Sequence, residues 1–199
     1  MKFTAAILTL FILASGCSSK KTIPISNSAT EKSDSSEPQN FFPVTEFLLG
    51  QLKQIDSLPV TPIKITSHNG KQDSVWMKRS DIRPFSAPFL TPKIDSLDLG
   101  RFFTEKSFLD QTINAFTFSY DPKDNLPDTV EVKHWDVYID AIKNSVSRIY
   151  IVKESNKNGM HQTIQLTWLP QKSCSITTIN EKEGQEADVM QETMKWGFE

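Results

Sequence analysis

From Val130 onward the chain alternates apolar and polar residues in run after run, each pair of runs separated by a short turn signal. Val130 and Val132 share one parity, while Trp135, Val137 and Ile139 take the other. One extra residue reverses the face that each following side chain meets, so the switch predicts a bulge at His134. A turn near Lys143-Asn144 leads to Ile149 to Val152. Asn158-Gly159 turns the chain into Ile164, Leu166 and Trp168, and Pro170-Gln171-Lys172 leads to Ile176 to Ile179. A repeat of two residues is a strand signature, and strands joined by short turns pair as antiparallel neighbours. The expected fold is therefore α+β, predominantly an antiparallel meander sheet packed by one or two helices. Ile149 to Val152 is apolar on both parities and is expected to be covered on both faces. A last strand is expected over Met194 to Phe198, with a helix from 186 as the alternative.

Ahead of this region, Val44, Phe47, Leu48, Leu52 and Ile55 recur at three- and four-residue spacing behind Pro43, which predicts an amphipathic helix over 43–56. Its polar face lacks the Lys/Arg richness of membrane-surface helices, so it is expected to pack on the sheet. Asn69-Gly70 between the apolar runs at Ile63/Ile65 and Val75-Trp76-Met77 predicts a hairpin. Pro84, Pro88 and Pro92 fall at every fourth residue of 80–100, a spacing that argues against a helix and for a loop that crosses the domain and pins itself with Phe85 and Phe89. Thr104 to Ile113 is expected as a short helix capped by Thr104. Phe116, Phe118 and Tyr120 then share one face of a strand.

The amino terminus has a different character. Ala5 to Ala14 is a ten-residue apolar run broken only by Thr9 and preceded by Lys2. A bilayer-spanning helix needs about 20 apolar residues, so this run suits the core of a signal peptide instead. Leu13-Ala14-Ser15-Gly16-Cys17 ends it, and this stretch resembles the lipobox of bacterial lipoproteins, although Leu13 lies four residues before the cysteine where the family usually has three. The resemblance covers residues 1–17 only. It implies that 1–16 are a signal peptide, that Cys17 is the first mature residue and carries lipid, and that two or three acyl chains give the firm attachment that one chain cannot. Ser18 after the cysteine resembles the pattern of outer-membrane routing, facing the periplasm.

Residues 17–40 read as a lipidated, Ser-rich tether. Positions 18–40 hold seven serines, balanced charges and only Ile23 and Ile25 as bulky apolar residues, too little to offset the entropy of ordering. One globular domain is expected over 41–199. Loss of Lys2 with the leader takes the formal net charge from −2 to −3, and no basic patch points to nucleic acid. Beyond Cys17 only Cys174 remains, in an alternating stretch that suits a buried, inert thiol.

Chemistry-bearing constellations are sparse. His134 and Asp136 are two apart and share a strand face as a metal pair would, but no third ligand stands at a recognisable spacing and the bulge is expected to turn them apart. His68 lies in the hairpin turn. There is no Gly-x-Ser-x-Gly elbow, and the seven glycines include no two that are two apart, so no loop is built to cradle phosphate. The carboxylate pairs Asp136/Asp140 and Asp95/Asp98 do not stand out among 24 acidic residues. No catalytic, cofactor or metal-ligating residue is assigned, the ligand-binding residues are left open, and so is whether the chain is an enzyme. The expectation is a membrane-anchored envelope lipoprotein, held through Cys17, whose domain binds a partner such as an envelope protein. Trp135, Trp168 and Trp196 are expected to pack in the core; Phe and Trp in alternating strands suggest, as an alternative, a periplasmic carrier or chaperone for an apolar ligand, with Trp135 and Trp168 bordering its cavity. A hydrolase with an unfamiliar site is the third reading.

Overall fold

The structure, a computed structural model, describes residues 41–95, 99–157 and 159–197. The expected leader over 1–16, Cys17, the tether over 17–40, and Asp98, Asn158 and Phe198 lie outside them. Nine strands form one antiparallel sheet: β1 (Ile63–His68), β2 (Lys71–Trp76), β3 (Phe103–Asp110), β4 (Ala115–Pro122), β5 (Val132–Asp140), β6 (Ser145–Lys157), β7 (Met160–Leu169), β8 (Ser173–Lys182) and β9 (Asp188–Lys195). Strands β3 to β9 lie side by side in chain order, while β1 docks on β9 and β2 forms the edge beyond it. The result is a sheet-dominated mixed fold with two α-helices among the described residues. The β1–β2 hairpin turns on Asn69 and Gly70 at φ 49° and 72°, the consecutive left-handed pair that a tight hairpin requires.

Helix α1 (Val44–Ser57) buries Val44, Leu48, Leu52 and Ile55, the expected stripe. The region of evenly spaced prolines departs from expectation. Arg79–Leu90 is a helix, α2, with Pro84 and Pro88 inside it. Each internal proline removes a hydrogen bond and costs roughly 3 kcal/mol, so something outside the helix must compensate. Ile82, Ser86 and Phe89 supply one part by burying a single face against the sheet. Lys153 supplies the other: its ammonium donates to the carbonyls of Pro88 and Thr91 at the end of the helix. The segment does cross the domain as expected, since it carries the chain from the β2 edge to the β3 edge, eight strand spacings or roughly 38 Å.

Three further expectations are corrected. Thr104 to Ile113 is no helix: Phe103–Asp110 is edge strand β3, paired with β4 without a break from Phe103↔Pro122 to Asp110↔Ala115. A helix there would leave the outer backbone of β4 unpaired. Strand β6 is covered on one face only, for Ile149 and Ile151 are fully buried while Tyr150 and Val152 are half-buried on the other side. The C-terminal strand begins at Asp188, six residues before Met194, and 186 onward is not helical.

The core lies between the helices and one face of the sheet. Trp135 stacks on Tyr120 at 4.7 Å and 13° and meets Phe103 at 4.4 Å, with Phe41 closing the cluster. Trp168 packs on Phe89 at 5.3 Å and Trp196 at 5.4 Å. Both tryptophans are at most 1% exposed and pack against other core rings, and neither indole N–H has a hydrogen-bond partner. Burial pushes the Cys174 thiol well above its ordinary range, which leaves it inert.

Candidate functional site on the open sheet face

Because alternate residues point to opposite faces, the strands that bury Trp135, Ile151 and Trp168 under the helices must present their other residues away from them. The register puts Asp136 beside Ser119 and Tyr150, Thr167 beside Tyr150, and Thr177 beside Gln165. Among the described residues no helix lies on this face. It carries hydroxyls, amides and tyrosines, with a connected set of charges across β3 to β6.

His134 is at the centre of that set. Its Nδ1 is 3.0 Å from Asp121 Oδ1 and its Nε2 is 3.0 Å from Asp136 Oδ1. Lys106 Nζ donates to the other oxygen of Asp121 at 2.9 Å, and Tyr138 OH donates to Asp136 Oδ2 at 3.0 Å. The guanidinium of Arg148 sits 3.8 Å from the centre of the Tyr138 ring. The hydrogen bond to Asp136 holds the His134 pKa above its ordinary value, against desolvation and with help from Asp121. Burial pushes the Asp136 carboxyl up, yet the hydrogen bonds from His134, Ser119 and Tyr138 together outweigh it and leave the group below its usual range. The bond from Lys106 does most to lower Asp121.

This geometry decides what the histidine can do. A carboxylate oxygen at each nitrogen favours the doubly protonated ring, and while it carries both protons the imidazolium has no lone pair with which to bind a metal or act as a general base. The His134–Asp136 pair is thus brought together, but as an ion pair. The bulge falls between Val132 and His134, before the pair, so it flips both side chains in unison and does not part them. Among the described residues no group of three or more His, Cys, Asp or Glu could hold a metal.

The remaining histidines and Asp140 are dispersed. His68 ends β1 and bonds Asp188 at 2.7 Å, and His161 bonds Asn156 at 2.9 Å, both on exposed ground. Asp140 accepts the backbone N–H groups of Ile142 and Lys143 and so shapes the β5–β6 turn. An open hollow of about 410 Å3, lined by Ser67, Thr177, Val189 and Gln191, lies farther along the same face. Sequence reasoning missed Asp121, which strand register brings to His134, and Lys106, Tyr138 and Arg148, which join the network through Asp121 and Asp136. Lys153 was missed as well, although its parity with Ile149 and Ile151 marks it as a lone charge on the buried side of its strand. It is 6% exposed, and burial lowers its pKa to about 8 against the attraction of Glu131. No protein-family model, curated protein or solved structure matches the chain.

Proposed function

We propose that this is a lipid-anchored protein of the bacterial cell envelope, held through Cys17 at the outer membrane facing the periplasm, with a non-enzymatic α+β domain whose meander sheet is packed by helices on one side and binds a partner with the other. The observation that carries the binding role is the asymmetry of the sheet: one face is closed by α1 and α2, and the other is an ordered array of polar and aromatic groups with no helix over it among the described residues. A regular surface of hydroxyls and amides, stiffened by a fixed ion network, suits a polar partner such as an envelope protein or a wall polymer. The tryptophans that motivate an apolar-ligand carrier are engaged with other aromatics in the core, and His134 has no free nitrogen for hydrolysis, so neither alternative is favoured.

Two experiments test this. Radiolabelled palmitate is expected in the wild type and not in Cys17→Ala, and equal labelling of both would remove the anchor. A photo-crosslinker at Gln165, on the open face, is expected to trap a partner in intact cells, whereas one at Lys53, on the exposed side of α1, is not. Equal trapping at both positions would remove the open face as the binding surface.

A further inference from the structure

Large exposed apolar side chains gather at one end of the sheet. Phe108, Leu109, Ile113 and Phe116 surround the β3–β4 turn and are 45–52% exposed, and Ile142, in the β5–β6 turn, is 83% exposed. The turns are neighbours: Ala141 N–H donates to Asn114 O at 3.2 Å, and Phe116 is paired with both Leu109 and Ile139. Two carboxylates stand in these turns, each engaged by backbone N–H groups. Asp110 turns its carboxylate back onto the N–H of Thr112, and Asp140 does the same with Ile142 and Lys143. Lys143 stands at the rim, where a long cationic stem can lie along apolar groups and place its head among phosphates.

We infer that this end of the sheet dips into the interfacial region of the lipid bilayer. Exposed apolar side chains gathered in this way mark a docking site, and an anchored chain with a long tether makes the bilayer its nearest occupant. The inference rests on the proposed anchor at Cys17. The described chain starts at Phe41, packed on Tyr120 and Trp135 toward the end of β4 and β5 that lies away from the two turns. Tyr120 is five residues from Ala115, roughly 17 Å along the strand. Cys17 is separated from Phe41 by a stretch whose extended length is about 80 Å, so an anchored domain has ample chain to lay these turns on the surface. Confinement near the bilayer also lets a weakly binding patch stay occupied, because the local lipid concentration is set by the tether. With the turns down, the sheet stands away from the membrane and its open face stays accessible.

The test uses the mature, full-length protein extracted from membranes and placed in phosphatidylethanolamine/phosphatidylglycerol vesicles. Ile142→Cys and Glu183→Cys are each labelled with an environment-sensitive dye. Glu183 lies in the turn after β8, at the opposite end of the sheet, and the buried Cys174 does not compete for label. The dye at 142 is expected to shift blue and to be quenched several-fold more by brominated lipid than the dye at 183. Adding Ile113→Ser and Phe116→Ser, both at exposed positions, is expected to reduce that difference. A dye at 142 that remains as wet as the one at 183 overturns the inference. So does a blue shift that brominated lipid leaves unquenched in a protein of dimeric mass, which would assign the patch to a second copy. The mass of the same preparation reads the anchor separately. Missing acyl chains would overturn the anchor and this inference with it, whereas an acylated protein with a wet dye at 142 overturns this inference alone.

Discussion

His134 and Trp135 are adjacent in the chain and belong to different chemical worlds. Trp135 faces the helices, stacked on Tyr120 and 1% exposed. His134 faces the other way, with a carboxylate at each ring nitrogen and about a quarter of its side chain in solvent. The difference teaches that one strand serves two purposes by alternation alone. Side chains toward the helices carry the hydrophobic free energy of the fold, while those on the open face are ordered by hydrogen bonds and ion pairs.

Substitutions test how sharp that division is. Trp135→Ala should have the largest effect, a loss of about 3–5 kcal/mol in chemical denaturation, because the cavity sits among rings that cannot collapse into it. Gly100→Ala should cost about 1–3 kcal/mol, since a Cβ there would lie 2.3 Å from the Phe41 ring and force it off Tyr120. Lys153→Met should also cost about 1–3 kcal/mol by leaving the Pro88 and Thr91 carbonyls without their donor. Its marker is loss of amide protection in α2 ahead of the sheet. His134→Gln should cost about 1 kcal/mol near pH 6 and less above neutrality. Gln165→Ala, on the open face, should stay within about 0.5 kcal/mol of wild type.

The pH dependence separates the faces further. Folding raises the pKa of His134, so its stabilisation is whole below about pH 6.5 and is lost as pH climbs through the raised value. Asp121 and Asp136 are lowered by folding, so their contribution is present above about pH 3.9 and fades as pH falls through the depressed values. Lys153 runs in the opposite sense to His134. Its folded pKa of about 8 is below its ordinary 10.5, so stability should recover between those limits as the unfolded state alone keeps the proton. Denaturation midpoints across pH 5–9, below the range in which the raised Cys174 thiol opposes the trend, are expected to fall and then rise, with His134→Gln removing the fall and Lys153→Met the rise.

What the sequence revealed follows the reach of each interaction. The strands from Ile149 to Ile179, the bulge near His134, helix α1 and the Asn69-Gly70 hairpin all declare themselves within a few residues. Helix α2 did not, because its prolines argue against it locally and the lysine that completes its last turn lies more than sixty residues away. Strand β3 was misread because its polar and apolar residues fit either period until β4 is placed beside it. His134 and Asp136 were visible as a pair, but the partners that make the pair an ion network lie on β3, β4 and β6, where only register delivers them. Trp135 and Trp168 could be assigned to strands, yet only the helices packed over them decide between core and cavity.

The most direct measurement of the division between faces is a variant with Thr163, Gln165, Thr167 and Thr177 all replaced by alanine, assayed for both denaturation midpoint and crosslinked adduct from a probe at Gln191 in intact cells. The account predicts a midpoint close to wild type and loss of the adduct. An unchanged adduct in a fully folded variant would contradict it.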